Sequence, residues 1–231
     1  MKGGGNMEKL APVIMCALFA ILAFFLMKLT LKITSSAAKR KILSYSRPSE
    51  NAVLALLEAE FGESNVITGR CLPQIEPDGT KSVGSPGTFV VMGSCVVCVE
   101  ILSAVGKINS DEEYKWFQSV RTRSGEMKET SFPSPVFQSD NHTKSLRALL
   151  ERNRMSKVRV YGMIIFTSRN ADFSKHYSQV FYLSEAMDHL KKLSKEKRFT
   201  KKQRIGIVRM INKNSRAASK ITGKTAAKNI H

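Results

Sequence analysis

Acidic residues are scarce in this sequence. Its 231 residues include 19 Asp and Glu against 37 Lys and Arg, which gives a formal net charge of +18 at pH 7. The shortage lies at the two ends: residues 1–49 contain 8 basic and 1 acidic residue, residues 191–231 contain 14 and 1, and residues 50–190 contain 15 and 17. The middle is nearly neutral, and the two basic ends would attract phosphates or anionic lipid. A hydrophobic content of 42% is enough for a core and excludes a disordered protein.

Cysteine is also rare, with four in the chain. Cys16 lies in an apolar run, which leaves Cys71, Cys95 and Cys98, an odd number that argues against a disulfide framework and favours a reducing compartment. Cys95 and Cys98 form a C-x-x-C pair, but no second Cys or His pair lies nearby, and residues three apart on a strand face opposite sides of a sheet. We therefore interpret these cysteines as structural.

Charged residues are absent from residues 10–27, an apolar run of 18 residues. Together with the residues that follow, this run is long enough to cross ~30 Å of hydrocarbon. We predict a transmembrane helix over residues 10–31, after a short tail (1–9) and before a basic juxtamembrane linker (32–48). A cleaved signal peptide is the alternative, although its apolar region is usually ~7–15 residues long and ends in small residues, whereas this run ends in Phe-Phe-Leu-Met.

Basic residues flank this run unevenly. Two lysines precede it, and six Lys or Arg residues follow it up to residue 47. The tendency of positive flanks to stay inside predicts that the part after the helix faces the cytoplasm, in a single-pass protein of the cell membrane.

The remainder of the chain reads as helices and strands in one α/β domain over residues 49–195, with a central mixed sheet flanked by helices. A basic helix and tail follow over residues 196–231, where Thr200 and Gln203 have the form of a capping box. Residues 76–87 read as turn-rich and residues 103–138 as loop-rich. The other predicted helices cover 49–62, 140–153 and 184–193, and the predicted strands cover 65–75, 88–92, 95–102, 158–168 and 179–183.

One carboxylate interrupts the most apolar stretch of this domain. The strands 88–92 and 95–102 read as a buried hairpin, and Glu100 stands near the end of the second strand. Two interpretations stay open. An acid at a strand end can be held by an Arg or by backbone amides and serve only to close the core, or it can bind a metal ion.

Five features in this order resemble the nuclease-related domain (NERD), a module of the restriction-endonuclease-like superfamily. The resemblance covers residues 49–190. It consists of an early Glu-containing helix, a hairpin ending in the place of a Glu-x-Lys motif, a glycine and a tryptophan, a Pro-x-x-Gln before a helix, and a final strand and helix. The residues that carry it are Glu50, Val53 and Leu56; residues 100–102 (EIL); Gly106 and Trp116; residues 135–138 (PVFQ); and residues 158–168 and 184–193.

The resemblance implies a restriction-endonuclease-like fold and metal-dependent cleavage of phosphodiester bonds. In such domains an Asp on the first hairpin strand and the Glu of Glu-x-Lys hold a divalent ion, which activates a water molecule, while the Lys orients the water or stabilises charge. By this match Glu100 is the metal ligand, and Glu50 and Gln138 assist it from neighbouring helices. These three are the candidate catalytic residues, and Mg²⁺ is the cofactor if the chain is active.

Two positions depart from the pattern. Gly87 and Thr88 stand where the Asp belongs, and Leu102 stands where the Lys belongs. One carboxylate alone binds Mg²⁺ weakly, because this ion usually needs more than one anionic ligand or a substrate phosphate. We therefore expect a degenerate site on a retained scaffold.

The last helix has a basic face and an apolar stripe. The predicted stripe contains Phe199, Ile205, Val208, Met210 and Ile211. Three interpretations stay open: the stripe packs on the domain while the charges are solvated, the helix lies on anionic lipid, or it binds DNA or RNA phosphates. The candidate nucleic-acid-binding residues are Lys201, Lys202, Arg204, Arg209 and Lys213.

Together these features predict a membrane-anchored protein that binds nucleic acid or an acidic partner at the cytoplasmic membrane face without efficient cleavage. An active metal-dependent nuclease is one alternative. A non-catalytic membrane interaction protein without nucleic acid is the other.

Overall fold

A computed structural model describes residues 49–75, 81–122, 124–196 and 198–217. The predicted transmembrane helix over residues 10–31, with its tail and linker, lies outside these residues. None of the described helices is long and apolar enough to cross a membrane.

The described residues form four α-helices, and the side chain of a Ser or Thr caps the start of three of them. Ser49 Oγ accepts a hydrogen bond from the Ala52 N–H at 3.3 Å, and Ser134 Oγ accepts one from the Phe137 N–H at 3.3 Å. The capping box at Thr200 forms in both directions, with hydrogen bonds of 3.2 and 2.8 Å. The helices are α1 (Glu50–Phe61), α2 (Pro135–Arg152), α3 (Leu183–Lys195) and α4 (Lys201–Asn214).

The strands of the described chain form two mixed sheets. The sequence predicts the mixed α/β class correctly, but it predicts one central sheet and not the second. One sheet has six strands in the order β10-β1-β2-β3-β7-β9, and the other has four in the order β6-β5-β4-β8. The strands are β1 (Val66–Ile75), β2 (Lys81–Val91), β3 (Cys95–Leu102), β4 (Gly106–Asn109), β5 (Lys115–Arg121), β6 (Met127–Pro133), β7 (Arg159–Phe166), β8 (Ala171–Phe173), β9 (Val180–Tyr182) and β10 (Arg216–Ala217).

The hairpin that carries Glu100 forms as predicted. β3 covers residues 95–102, and its partner β2 pairs antiparallel with it from Thr88 opposite Val99 to Val91 opposite Val96. The prediction of turns up to residue 87 is wrong, because β2 already begins at Lys81, where it pairs with β1. Residues 76–80 lie outside the described part of the chain.

The prediction of a loop-rich segment over residues 103–138 is wrong as well. This segment contains β4, β5 and β6, which form the second sheet with β8, and the start of α2. The alternation that marks a strand is missing, since β6 is exposed at every residue except the half-buried Phe132. Trp116, only 1% exposed, fills the core of this sheet with Ile108 and Phe166.

Helices cover both faces of the six-stranded sheet. α2 and α4 pack on one face, where alternate residues of β2 and β3 such as Phe89 and Cys98 join Leu146 of α2 and Ile211 of α4 in one buried cluster. α1 contacts β1 and β3, and α3 contacts β7 and β9. The intervening strand residues Val90, Val97 and Val99 are also buried, because these helices cover the opposite face.

α4 is part of the core, although one residue of its predicted stripe is wrong. Ile207, Met210 and Ile211 are buried, and Phe199 and Val208 pack beside them. Ile205 is 41% exposed and does not belong to the stripe, whereas Ile207 does. The apolar side of this helix therefore packs on the sheet, as the first interpretation proposes.

Candidate functional site

Glu100 is bound by a histidine from α2. Its Oε1 atom lies 2.5 Å from Nδ1 of His142, and the side chains of Glu100 and His142 are 14% and 1% exposed. β3 brings the carboxylate to the sheet face that α2 covers, and α2 presents His142 in line with its buried Leu146 and Leu149. Among the described residues, the acid in the apolar strand is thus paired with a histidine and not with an arginine.

The other ring nitrogen of His142 faces Ser85 in β2. Nε2 lies 3.0 Å from the Ser85 carbonyl oxygen and 3.1 Å from its hydroxyl oxygen. The ring also meets Phe89 edge-on, with 6.0 Å between ring centroids. His142 is therefore fixed on both nitrogens by two neighbouring strands, and its orientation is set by packing as well as by hydrogen bonds.

This geometry favours the doubly protonated imidazolium form of His142. Nδ1 faces a carboxylate and Nε2 faces a carbonyl oxygen, and each of these acceptors requires an N–H donor. Burial lowers the pKa of His142, but the hydrogen bond and charge of Glu100 and the Ser85 carbonyl outweigh burial and raise this pKa above its usual value of ~6.5.

The order Ser85, His142, Glu100 is also that of a nucleophile, a base and an orienting acid. A general base needs the lone pair of Nε2 directed at the serine hydroxyl. Here that nitrogen lies 3.0 Å from the Ser85 carbonyl oxygen, which can accept a hydrogen bond only from an N–H. The arrangement therefore favours a closed pair of His142 and Glu100 over an activated serine.

Gly87 lies beside this pair, on the same face of the sheet. Thr88 is opposite Val99, so the register places Gly87 opposite Glu100, while Thr88 points to the other face. A Cβ atom added to Gly87 would lie 3.0 Å from Cζ of Phe89, and 3.1 Å from Cε1 and 3.2 Å from Nδ1 of His142. The rings of Phe89 and His142 thus crowd the space that a side chain at position 87 would enter.

Leu102 packs into the core of the second sheet. It is half-buried against the cluster that contains Trp116 and Phe166, and its backbone carbonyl accepts a hydrogen bond from the Thr167 N–H at 2.9 Å. A lysine at this position would have to move its charge out of an apolar contact. The residue that replaces the expected lysine therefore has a structural role.

A family model described as nuclease-related domain matches residues 46–167, which is more than half of the chain. The chain belongs to the nuclease-related domain family. No curated protein and no solved structure is found to match it. The matched segment includes β1 to β7, with α1 and α2, and it ends before β8, β9 and α3.

The structure explains why a glycine and a tryptophan occupy positions 106 and 116, which carry the resemblance to the nuclease-related domain. Gly106 has a φ of +77°, and a Cβ atom there would lie 2.5 Å from the Ser119 carbonyl oxygen, so only glycine fits. The Trp116 ring packs against Tyr177 and Phe132, with centroids 5.2 and 6.3 Å apart. These two residues shape the second sheet and take no part in the Glu100 pair.

The other candidate catalytic residues lie on two different helices. Gln138 is half-buried in the first turn of α2, four residues before His142, so the two side chains share a helix face. Glu50 is exposed in the first turn of α1, whose N-terminus Ser49 caps. The described contacts join Glu100 to His142 and do not include a contact of Glu100 with Glu50 or Gln138.

The residues present do not fit a divalent metal ion of the nuclease type. Among the described residues, no group of three His, Cys, Asp or Glu side chains is arranged to hold a metal ion. Within the described part of the chain the two-carboxylate arrangement that such an ion prefers is missing, because Gly87 contributes no side chain and Glu100 is bound by His142. The partner that lies beside Glu100 is the ring of His142.

Sequence reasoning missed His142. It lies 42 residues from Glu100 in a polar segment, and nothing in the local sequence links the two. One signal was available: His142 precedes Leu146, Leu149 and Leu150 at helical spacing, which places it on the apolar face of α2 where a polar ring needs a partner.

The candidate nucleic-acid-binding residues lie on the outer side of α4. Arg204 differs from the rest, because it is half-buried and its Nε has no hydrogen-bond partner among the described residues. The exposed members are Lys201, Lys202, Arg209 and Lys213. These four charges face solvent, on a helix that packs on the same side of the sheet as α2.

Proposed function

We propose that this chain binds nucleic acid at the cytoplasmic face of a membrane and does not cleave it efficiently. In this proposal the domain has the restriction-endonuclease-like fold of its superfamily, and one transmembrane helix over residues 10–31 anchors it. The alternatives, an active nuclease and an interaction protein that does not bind nucleic acid, are outcomes of the experiments below.

The pairing of Glu100 with His142 carries the proposal. Metal-dependent phosphodiester cleavage needs a carboxylate that can bind the ion, and this carboxylate already has a cationic partner 2.5 Å away. Gly87 and Leu102 offer neither the second carboxylate nor the amine that would compensate. The scaffold of the family is retained while the groups that perform its chemistry are absent or engaged.

The basic outer side of α4 supports nucleic acid as the ligand. Four exposed cations lie within 13 residues of one helix, and residues 191–231 contain 14 Lys and Arg against 1 acidic residue. Because the apolar side of the helix is buried in the core, this charge is held on a fixed surface. A fixed row of cations attracts a polyphosphate backbone and releases its counterions on binding.

The membrane part of the proposal rests on the sequence. Residues 10–27 contain no charge, and basic residues follow them. If residues 10–31 are an anchor, deletion of residues 1–48 should move the protein from the membrane fraction to the soluble fraction of expressing cells. If they are a cleaved signal peptide, the full-length and the truncated protein should both be found in soluble form.

Salt-dependent binding tests the ligand. Full-length protein in detergent micelles is titrated into fluorescent single-stranded DNA, duplex DNA and RNA of equal length, with EDTA, at ~50 to 300 mM salt. Log Kd should change linearly with log salt, with a slope of ~0.7–0.9 for each phosphate contacted. The variant that replaces Lys201, Lys202, Arg209 and Lys213 by Gln should lose affinity and have a slope smaller by up to ~3.

A matched control removes the same number of charges from the second sheet. It replaces four exposed basic residues by Gln, namely Lys107, Lys115, Arg121 and Lys128. This variant should bind like the wild type. Absence of binding to all three nucleic acids, or equal losses in the two variants, contradicts α4 as the binding surface.

A further inference from the structure

The site contains two features that depend on each other. His142 approaches Glu100 to 2.5 Å, and it can do so because position 87 has no side chain. An Asp at position 87 would be crowded by this ring, since its Cβ would already lie 3.1 Å from Cε1 of His142, as well as 3.0 Å from Cζ of Phe89.

We propose that the imidazole ring of His142 occupies the place of the divalent cation of the nuclease site, and that glycine at position 87 admits the ring. This inference rests on the proposed function and deepens it. A nuclease of this superfamily holds a diffusible cation between two carboxylates, whereas this chain holds a histidine ring of α2 against one.

The position of the ring agrees with this replacement. A carboxylate that is 14% exposed next to an apolar core requires a polar partner, and Nδ1 of His142 lies 2.5 Å from its Oε1 atom. The Ser85 carbonyl oxygen lies 3.0 Å from Nε2, so the ring is held on both sides.

The replacement makes metal binding and His142 mutually exclusive. His142→Ala alone removes the ring but leaves a single carboxylate, Glu100. Gly87→Asp alone adds a carboxylate but forces the new side chain against the ring. Only the two changes together, Gly87→Asp with His142→Ala, provide two carboxylates and the space between them.

Mn²⁺ binding to full-length protein in detergent micelles, followed by electron paramagnetic resonance, tests this. The wild type and Glu100→Gln should bind Mn²⁺ equally weakly. The double variant should bind Mn²⁺ at least about tenfold more tightly than either single variant, and an added Glu100→Gln should abolish the gain. His176→Ala, a change at an exposed histidine, combined with Gly87→Asp should give no gain.

Two results overturn the inference. One is Mn²⁺ binding by the wild type that Glu100→Gln weakens. This comparison does not use the double variant, so it holds even if that variant does not fold. The other is a double variant that is folded by circular dichroism and Trp116 fluorescence but binds no more Mn²⁺ than Gly87→Asp.

The proposed function fails on different results. Loss of nucleic-acid binding in EDTA removes that function while leaving the metal replacement intact. Conversely, Glu100-dependent Mn²⁺ binding without cleavage removes the replacement while leaving nucleic-acid binding in place.

Discussion

Nδ1 of His142 lies 2.5 Å from Oε1 of Glu100 and joins helix α2 to strand β3 across 42 residues of sequence. The pair lies at one end of the face where α2 packs its leucines on the sheet. Its strength, its pH dependence and its exclusion of metal can each be measured separately.

Removal of the histidine should destabilise the fold. His142→Ala leaves Glu100 without its partner next to the core, which should lower the free energy of unfolding by about 2–3 kcal/mol. Adding Glu100→Gln to this variant should recover part of the loss, because a neutral amide is easier to leave unpaired. Urea unfolding followed by Trp116 fluorescence measures both, and His176→Ala should stay within about 0.5 kcal/mol of wild type. Equal losses in the two histidine variants would contradict a specific pair.

The pair should stabilise the protein most at low pH. The pKa of His142 is higher in the folded than in the unfolded protein, so its contribution is complete below ~6.5 and is lost as pH rises through the raised value. The advantage of wild type over Glu100→Gln in unfolding free energy should therefore shrink from pH 6 to pH 9. The neighbouring Cys98 stays neutral over this range, because burial raises its pKa to about 12. A constant or growing advantage would contradict the imidazolium assignment.

A buried hydroxyl on α2 should be dispensable. Ser139 is 0% exposed, its Oγ has no hydrogen-bond partner among the described residues, and a Cβ on Gly162 would collide with it. Ser139→Ala should therefore be neutral or stabilising by up to ~1 kcal/mol. Gly162→Ala should cost ~1–3 kcal/mol in wild type and clearly less in the Ser139→Ala background. Equal costs in the two backgrounds would exclude this steric contact.

The cysteines of the domain should be unreactive in the folded state. Cys71, Cys95 and Cys98 are free and buried, and burial raises the pKa of each thiol. In a Cys16→Ser variant, a thiol reagent at pH 8 should label none of them until urea unfolds the protein. Rapid labelling of Cys95 or Cys98 under native conditions would reopen the redox interpretation of the C-x-x-C pair.

Strongly patterned elements could be predicted from the sequence. β3 was predicted with its observed bounds, since an apolar β-branched run has few alternatives, and α4 was predicted from its capping box. The strands of the second sheet could not be predicted, because β6 is exposed on both sides and has no periodic apolar pattern. Their core depends on distant partners such as Tyr177, which reaches Trp116 only in the folded chain.

The candidate site was predictable only in part. Glu100 was identified because a carboxylate in an apolar strand requires a partner, but the identity of that partner depends on how α2 lies on the sheet. The meaning of Gly87 likewise depends on the ring that fills its side-chain space, which the local sequence does not reveal. Pairings of this kind are set by tertiary packing.

A cleavage assay tests the central claim most directly. Full-length wild type and Glu100→Gln are incubated with labelled single-stranded DNA, duplex DNA and RNA in Mg²⁺ or Mn²⁺, and the products are resolved on denaturing gels. The account predicts no cleavage that depends on Glu100, so that both proteins leave the substrates equally intact. Metal-dependent cleavage by the wild type that Glu100→Gln abolishes would contradict it.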